Sequence, residues 1–568
     1  MNESRDGGRA EGERPNGDPP PPRGAIAPAH GARLRRAVEN YRSGAYAQAE
    51  AHARALLEEH GASPSVLEIL GLSLVAQQRS SEAEPYLLDA LRIGGESSNL
   101  LFALGVVAAD RGAWDEAKVR YARLIERDPR FPEARFNYAR ALEECGETES
   151  SLNSYKDILE NDERHADAAL HYALLLEECN RVEESAVWLS RFLSLRPSDV
   201  RGRLLAAQLE LRLGRPREAL AILENLETRP LSPRTAAVVS GRRVRALDVL
   251  GRYADAARAA DEGHAKIRAL ASEPEDPRDP YGPTALMRFA SCRDRLRSCD
   301  SGWTWPSHLP APDFLVGFPR SGTTLLDRML AAHPEVRVLE ETNPLAPLIR
   351  RLAESLPSGG GDLVFDSEAR TLAARVAEEI GSGRPPGVRV LLDKLPLNSA
   401  YAGWLARLIP ESRFVVVVRD PRDVVLSCWL QTFAPNAAMR QFWDLGTTVD
   451  YYERVMELLR FWLEATLPAE RRRIVRYEDL VRGPRPRLEA LSSFLGIEFR
   501  VDMLDPARAA KGVRLGTPSY DQVTRPIHEA AVGRWRHYAT VLTPHLARLE
   551  PWVQYWGYGE RERGEEER

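Results

Sequence analysis

The segment from Asp313 to Leu330 contains residue types that could bind a phosphate or a phosphosulfate group. Phe314 to Gly317 form an apolar run that predicts a buried strand, Pro319 to Gly322 predict a turn, and Thr323 to Leu330 predict a helix. The first backbone N–H groups of a helix have no intrahelical partner, so they can donate to an anion lying at the turn. The sequence therefore predicts an anion-binding loop between a strand and a helix.

The cation of this loop is an arginine. Gly317 and Gly322 have the spacing of the two glycines in nucleoside triphosphatase loops, but Thr323 stands where those loops carry lysine. Arg320, inside the loop, can supply the positive charge instead. The pattern therefore disfavours a triphosphatase or a small-molecule kinase, and an ordinary strand-turn-helix corner with a surface arginine is the alternative.

A second strand-turn-helix pattern runs from Arg413 to Trp429. Arg419 follows a run of four valines, and Ser427 lies eight residues later, in the predicted helix. Open α/β sheets bind ligands at the carboxyl ends of their strands, so both side chains could contact one anion. An ion pair of Arg419 with Asp420 or Asp423, and a packing role for Ser427, are the alternatives. Two anion sites would suit a ligand with two phosphate groups.

Lys394 is a third residue whose type and place indicate chemistry. Only five of the 78 basic residues are lysines, and Lys394 is the only lysine between Lys266 and Lys511. It ends another apolar run, within the stretch LLDKLPLN. A lysine ammonium is a compact charge that can act on a single oxygen, so a lysine at this place in an arginine-rich chain favours a chemical role over a surface position.

The first half of the chain repeats with a period of 34 residues. Small residues recur at Ala37, Gly71, Gly105, Ala139, Ala173 and Ala207, and twelve positions later at Ala49, Ala83, Ala117, Ser151, Ser185 and Ala219. Turn-forming residues recur at Gly44, Gln78, Gly112, Gly146, Asn180 and Gly214, and a looser seventh unit follows at Gly251. This period is typical of tetratricopeptide repeats, whose helix pairs stack into a right-handed superhelix with a concave groove. We expect the groove to bind a protein or peptide; a spacer, or a surface for forming a homodimer, is the alternative.

Composition argues against several other classes of protein. The net charge of −5, with 28% charged residues, gives no field that would favour nucleic acid or an anionic membrane. No apolar run is long enough to span a bilayer, and the polar N-terminus lacks the apolar core of a signal peptide, so we expect a cytoplasmic protein without a membrane span. The five cysteines lack the spacing of a zinc site and are expected to be reduced.

These patterns divide the chain into five segments. A Pro/Gly-rich tail that we expect to be disordered covers residues 1–30, the repeat array of about seven units covers 31–272, and a connector covers 273–310. The domain with the two anion sites covers 311–558, and a charged tail covers 559–568. The predicted fold is an N-terminal α-solenoid followed by a P-loop-like α/β domain with a central parallel sheet.

The same residues carry a family resemblance. PRSGTT and RDPRDVVLS, together with AAHPEVRVLEET, LLDKLPLN, RYEDLV and PSYDQVTRP followed by GRW, resemble the motifs of sulfotransferases that use 3′-phosphoadenosine 5′-phosphosulfate (PAPS). The resemblance covers roughly residues 311–558. It is greater to the tyrosylprotein sulfotransferases, and to bacterial enzymes that join a tetratricopeptide array to this domain, than to the cytosolic phenol and steroid sulfotransferases, which usually carry lysine where Arg320 stands.

The resemblance implies roles for individual residues. It implies that the nucleotide donor is bound by Arg320, Ser321, Gly322, Thr323, Thr324, Arg419, Ser427, Tyr477 and Arg534. The implied catalytic residues are Glu341 as base, Lys394 and Arg320 at the phosphosulfate, and Ser519 as a hydroxyl donor, and no metal is required. Adjacent residues of an extended segment point to opposite sides, so only one of Glu340 and Glu341 faces the reacting group, and the family motif selects Glu341.

Three positions depart from the tyrosylprotein sulfotransferase pattern. Arg534 stands where those enzymes have lysine near the 3′-phosphate, which keeps the charge. Asn343 and Pro347 stand where they have arginines that bind acidic substrate, although Arg350 and Arg351 are nearby. The resemblance therefore implies the reaction and leaves the acceptor open.

Three functions are compatible with these features. The first is a sulfotransferase whose repeats recruit a protein or peptide acceptor, with a tyrosine hydroxyl as the group that is sulfated. The second is the same enzyme acting on a glycan, a lipid or a small metabolite, with the repeats serving assembly. The third is a tetratricopeptide scaffold whose α/β domain binds nucleotide without catalysis, which the presence of every catalytic residue type disfavours.

Overall fold

A computed structural model provides the structure of the chain. It describes residues 31–270, 276, 278–298, 305–340, 344–355, 367–382, 384–433, 435–506 and 526–559. The predicted N-terminal tail, the catalytic candidates Glu341 and Ser519, and residues 560–568 of the predicted charged tail lie outside these ranges. The chain divides between Ser198 and Asp199 into two compact units.

The first unit is built from helices that pack against their neighbours in the chain. Over the described residues these are α1 (Gly31–Arg42), α2 (Tyr46–His60), α3 (Pro64–Ala76), α4 (Ser80–Gly94), α5 (Ser98–Asp110), α6 (Trp114–Arg127), α7 (Ala134–Glu144), α8 (Thr148–Asn161), α9 (Ala166–Glu178) and α10 (Val182–Leu195).

The 34-residue register predicted from the sequence is present in the backbone. The predicted turn positions all have positive φ, between 58° and 78°: Gly44, Gln78, Gly112, Gly146, Asn180, Gly214 and Gly251. Glycine and asparagine tolerate this conformation better than most other residues. At the small positions, a Cβ added to Gly71 would lie 2.4 Å from Leu87, and the Ser151 hydroxyl donates to the Ala139 carbonyl at 2.8 Å. The prediction of a helical repeat solenoid is therefore confirmed.

The second unit begins with further repeat helices. They are α11 (Val200–Arg212), α12 (Pro216–Glu227), α13 (Pro233–Val249) and α14 (Tyr253–Leu270), and α15 (Pro283–Ser298) follows in the region predicted to be a connector. Tyr281, Phe289 and Trp305 of that region are buried in the same core as Phe314 and Val416 of the α/β domain. The connector thus packs as part of this unit.

A parallel sheet lies at the centre of the α/β domain. Its strands within the described ranges are β1 (Asp313–Gly317), β2 (Val336–Glu340), β3 (Val390–Lys394), β4 (Phe414–Val418) and β5 (Arg472–Arg476), in the order β2-β3-β1-β4-β5. Side chains of β4 alternate between two cores, with Phe414 and Val416 on one face and Val415 and Val417 on the other. Burial on both faces explains the continuous valine run and confirms the predicted parallel α/β sheet.

Helices connect the strands and flank the sheet. They are α16 (Thr323–Ala331), α17 (Ala346–Ser355), α18 (Ser367–Ser382), α19 (Ala402–Leu408), α20 (Pro421–Trp429), α21 (Leu445–Ala465), α22 (Tyr477–Arg482), α23 (Pro484–Leu495) and α24 (Ala539–Tyr555). Short 3-10 helices span Pro396–Tyr401, Met439–Trp443, Ala469–Arg471, Val501–Leu504 and Arg534–Tyr538. Within the part of the chain that the structure describes, no helix combines the length and the hydropathy needed to cross a membrane.

Candidate active site

The candidate residues gather at one edge of the sheet. All described strands run in parallel, so their carboxyl ends lie at the same edge. Each of the following residues ends a strand or lies in the segment directly after it: Arg320 (β1), Glu340 (β2), Lys394 (β3), Arg419 (β4) and Tyr477 (β5). This edge is where open α/β sheets bind their ligands.

The loop after β1 has an unusual backbone. Arg320 has a φ of +68° and Gly322 a φ of +100°, and the first of these is uncommon for a residue with a side chain. Gly322 begins α16 without a side-chain cap, so no side chain occupies the first amides of the helix. A Cβ on Gly322 would lie 2.5 Å from Cδ2 of Tyr477. The positive φ and the closeness of the Tyr477 ring therefore both favour glycine at this position. The loop therefore presents backbone donors beside Arg320 and Tyr477.

Arg320, Arg419 and Ser427 meet at this loop. Nε of Arg320 donates to Oγ of Ser427 at 3.1 Å, and Nη1 of Arg419 donates to the backbone carbonyl of Arg320 at 3.1 Å. The Arg419 guanidinium also lies 4.9 Å from the centre of the Tyr477 ring. Nε of Arg419 is buried without a hydrogen-bond partner among the described residues, which leaves a polar atom for a ligand. Residues of the two predicted anion sites are thus in direct contact.

Positive charge is concentrated around Arg320. Burial lowers the pKa of the Arg320 guanidinium to about 10, and the nearby Arg419 and Arg534 cations act in the same direction. Like charges held together away from water destabilise one another unless an anion or carboxylate compensates them. The residues present therefore fit a ligand with several negative charges, such as a nucleotide phosphosulfate.

Asp423 in α20 supplies part of this compensation. Its carboxylate lies 3.9 Å from Nη2 of Arg419, the ion pair that the sequence left open as an alternative for that arginine. The same carboxylate accepts the backbone N–H groups of Gly533 at 2.7 Å and Trp535 at 2.8 Å. Asp423 therefore ties the turn that carries Arg534 to the helix that carries Ser427.

Lys394 lies in a buried cluster of charges at the end of β3. Its Nζ is 3.4 Å from Oδ2 of Asp327 and 3.6 Å from Oε1 of Glu340. Arg328 pairs with both acids, at 2.9 Å to Asp327 and in direct contact with Glu340. Burial raises the pKa of the Asp327 carboxyl, although Lys394 and Arg328 oppose that rise. The ammonium of Lys394 therefore lies between two carboxylates, and Glu340 pairs with both Arg328 and Lys394.

The roles predicted for several residues remain predictions. Ser321, Thr323 and Thr324 are buried in the loop and the first turn of α16, beside Arg320 in sequence. The roles of Glu341 and Ser519 concern residues outside the described ranges. Arg351, one of the two arginines near the positions where substrate-binding arginines are missing, pairs with Glu368 of α18 at 2.9 Å.

Other residues of the site were not identified from the sequence. Asp327 and Arg328 lie inside the first motif, but nothing in its pattern separates them from ordinary helix-surface charges. Asp423, in contrast, was named from the sequence as an alternative partner of Arg419, and the structure contains this ion pair at 3.9 Å. The contact of Asp248 with Arg534, at 2.7 Å, joins distant parts of the sequence and had no signal.

Asp393, next to Lys394, is a buried carboxyl with few polar neighbours. Its Oδ1 accepts from Nδ2 of Asn398 at 3.1 Å, and the Tyr281 hydroxyl donates to Oδ1 of Asn398 at 2.7 Å. Burial raises the pKa of Asp393 to about 7, from 3.8, and the Asn398 hydrogen bond only partly offsets this. Asp393 is therefore protonated in the folded chain at pH values where the unfolded chain has lost that proton.

Asp393→Asn is expected to stabilise the protein at neutral and higher pH. Between pH 3.8 and about pH 7 the folded chain holds more protons than the unfolded chain, so raising the pH favours unfolding. The contribution of Asp393 to the free energy of unfolding therefore falls across this range and is constant above about pH 7. The variant lacks this decline. Its free energy of unfolding should exceed that of the native protein by on the order of a few kcal/mol near pH 8 and differ little near pH 4. Thermal melting of both proteins across this range measures the difference, and parallel pH curves would contradict it.

Comparison with known proteins identifies both parts of the chain. A model described as the sulfotransferase family matches residues 312–501, and a tetratricopeptide repeat model matches residues 34–99 and 102–150. Protein-tyrosine sulfotransferase 2 of Gallus gallus is 30% identical over 261 residues, which cover 43% of this chain and 68% of the relative. Protein-tyrosine sulfotransferase 1 of Danio rerio is 29% identical over 262 residues, covering 42% and 71%. The solved sulfotransferase domain of the Synechococcus PCC 7002 olefin synthase is 25% identical and covers 41% of this chain and 90% of that domain, with a TM-score of 0.30.

The family match includes the loop with Arg320, the buried Lys394 and the pair formed by Arg419 and Ser427. The predicted resemblance to sulfotransferases is therefore confirmed. With its repeats preceding a sulfotransferase domain, the chain belongs to the sulfotransferase family.

Proposed function

We propose that this protein transfers a sulfuryl group from PAPS to the hydroxyl of a protein tyrosine. The observation that carries the proposal is the meeting of Arg320, Arg419 and Ser427 at the carboxyl edge of the sheet. Two guanidinium groups and a hydroxyl, beside the first amides of α16, can bind two phosphate-type anions of one ligand. PAPS carries such a pair, at its 5′ and 3′ positions.

The two anions have different partners in this proposal. Arg320, the hydroxyls of Ser321, Thr323 and Thr324, and the amides after Gly322 bind the 5′-phosphosulfate. Arg419, Ser427 and Arg534 bind the 3′-phosphate, and the Tyr477 ring lies beside the nucleotide. The hydrogen bond between Arg320 and Ser427 supports this arrangement, because it joins side chains that we assign to the two subsites.

The chemistry needs a base, cations and alignment. The acceptor oxygen forms a bond to sulfur while the bond between sulfur and the bridging oxygen of the phosphate breaks. Glu341 accepts the hydroxyl proton, and the ammonium of Lys394 and the guanidinium of Arg320 stabilise the charge that develops on the leaving phosphate. The products are the sulfated acceptor and adenosine 3′,5′-bisphosphate.

A protein acceptor is supported by two features. Two of the similar relatives, from Gallus gallus and Danio rerio, are protein-tyrosine sulfotransferases. Arrays of helical repeats commonly provide extended surfaces for binding proteins or peptides. In this proposal the repeats recruit the acceptor or a partner that delivers it.

The acceptor class can be tested directly. The full-length protein is incubated with PAPS labelled in its sulfate group and a cell lysate, and the label is then separated into protein, glycan and small-molecule fractions. Label on protein tyrosine supports the proposal, and label in another fraction replaces tyrosine with that acceptor. Binding of adenosine 3′,5′-bisphosphate without any transfer would favour a nucleotide-binding scaffold.

Arg419→Ala is expected to remove the preference for a 3′-phosphate. Its guanidinium offers charge-assisted hydrogen bonds, so affinity for adenosine 3′,5′-bisphosphate should fall by about 10- to 100-fold. Adenosine 5′-monophosphate, which lacks the 3′-phosphate, is the matched control ligand and should lose far less. Calorimetric titration of both nucleotides measures the ratio, and an equal loss for the two would show that Arg419 acts only on the loop.

A further inference from the structure

The turn that carries Arg534 is bound by two residues of the segment that runs from β4 into α20. Nη2 of Arg419 donates to the backbone carbonyl of Ala531. The Asp423 carboxylate accepts from the N–H groups of Gly533 and Trp535, at 2.7 and 2.8 Å. The backbone of Arg534 is therefore fixed beside the candidate donor site.

The side chain of Arg534 is held by a different part of the chain. Its Nε lies 3.0 Å and its Nη2 lies 2.7 Å from Oδ1 of Asp248, a residue of the repeat helix α13. The Tyr538 hydroxyl donates to the same oxygen at 2.6 Å. Asp248 thus binds one edge of the planar guanidinium, which fixes the direction of the rest of the group.

Other contacts join the last repeat pair, α13 and α14, to the sulfotransferase domain. The ring of Tyr253, at the start of α14, stacks on His537 with centres 4.5 Å apart and an angle of 8° between the planes. Nη2 of Arg268, further along α14, donates to the backbone carbonyl of Trp443 at 3.1 Å. The last repeat pair is therefore anchored to the sulfotransferase domain at two places besides Asp248.

We propose that Asp248 is a positioning residue of the donor site, through which the last repeat orients Arg534 toward the 3′-phosphate. This inference rests on the proposed function, because it takes PAPS as the donor. A carboxylate beside a cation can act in two ways. It can hold the cation in the geometry that binds the ligand, or it can compete with the ligand for the charge. The contact along one edge of the guanidinium and the second donor, Tyr538, favour the first role.

The two roles predict opposite signs for Asp248→Asn. Loss of a positioning carboxylate lowers the affinity for adenosine 3′,5′-bisphosphate. We expect a loss of about tenfold, as when a residue that orients a metal ligand by a hydrogen bond is removed. Loss of a competing carboxylate raises that affinity. Affinity for adenosine 5′-monophosphate should change little in either case, so the ratio of the two affinities reports on the 3′-phosphate alone.

The test uses calorimetric titration of the full-length chain with both nucleotides. Asp255→Asn is the matched control, because Asp255 is a carboxylate of the same repeat pair whose partners are Arg252, at 2.6 Å, and Arg258. The inference expects a lower bisphosphate preference in Asp248→Asn and an unchanged one in Asp255→Asn. An unchanged or increased preference in Asp248→Asn overturns it.

A second variant keeps the test informative if Asp248→Asn melts too early for titration. Arg534→Lys leaves Asp248 in place and keeps a positive charge, but it removes the planar edge that Asp248 orients, so it should lower the preference similarly. A preference equal to that of the native protein would overturn the inference. If the native protein itself binds both nucleotides equally, the proposed donor is wrong, and this failure appears before any substitution is made.

Discussion

Glu341→Gln is expected to lower kcat by about 10²- to 10⁴-fold, the range in which a general base contributes. The substitution keeps the size of the side chain but removes its capacity to accept the proton of the acceptor hydroxyl. Nucleotide affinity should stay close to that of the native protein, because the groups proposed to bind the phosphates are arginines, hydroxyls and amides. Turnover with labelled PAPS and titration with adenosine 3′,5′-bisphosphate together measure the two effects.

Glu340→Gln is the matched control for this prediction. Glu340 lies next to Glu341 in the sequence, and its carboxylate is bound to Arg328 and lies 3.6 Å from Nζ of Lys394. We therefore expect Glu340→Gln to lower the melting temperature, since two buried cations lose a partner, and to reduce turnover by less than about tenfold. If Glu340→Gln abolished turnover and Glu341→Gln did not, the assignment of the base would be reversed.

The repeat array is the part of the fold that could be predicted in most detail. Two helices of a repeat touch where side chains must be small, and the chain reverses where φ must be positive. Both requirements restrict residue type at fixed spacing, so they leave a visible period in the sequence. Even Gln78 and Asn180, which replace glycine in the turn register, have positive φ, at 61° and 58°.

The location of the candidate site followed from a general property of parallel sheets. Arg320 and Ser427 are 107 residues apart, and their contact could not be read from either motif alone. It could be expected because both segments were predicted to follow buried parallel strands, whose carboxyl ends share an edge. Sequence therefore predicted which segments meet, and the structure adds which atoms contact each other.

The carboxylates that pair with Arg534 and Lys394 could not be predicted from the sequence. Asp248 and Arg534 are separated by 286 residues, and an aspartate near the end of an amphipathic helix has the pattern of any solvated charge. Asp327 likewise occupies a helix position where an exposed acid is ordinary, yet it is fully buried. Such partners depend on how distant segments pack, which local periodicity does not encode.

The charge cluster around Lys394 leads to the second prediction with a large expected effect. Lys394→Met should lower both activity and stability. The cluster contains two acids, Asp327 and Glu340, and two cations, Arg328 and Lys394, so removing the ammonium leaves an uncompensated buried negative charge. Breaking a buried ion pair in this way costs about 3–5 kcal/mol. Loss of activity in this variant alone would therefore not separate a chemical role from a structural one.

Two further substitutions separate these roles. Lys394→Arg keeps the positive charge between the two acids, so stability should be largely retained. Its delocalised charge is a poorer match for a single bridging oxygen, and we expect kcat to fall by about 10²- to 10³-fold. Asp327→Asn combined with Lys394→Met removes one charge of each sign and should recover much of the lost stability without restoring turnover. Melting and turnover measured on the same samples give the comparison. Near-native turnover in Lys394→Arg, or recovery of turnover in the double variant, would assign Lys394 to the charge balance of the fold and not to the sulfuryl transfer.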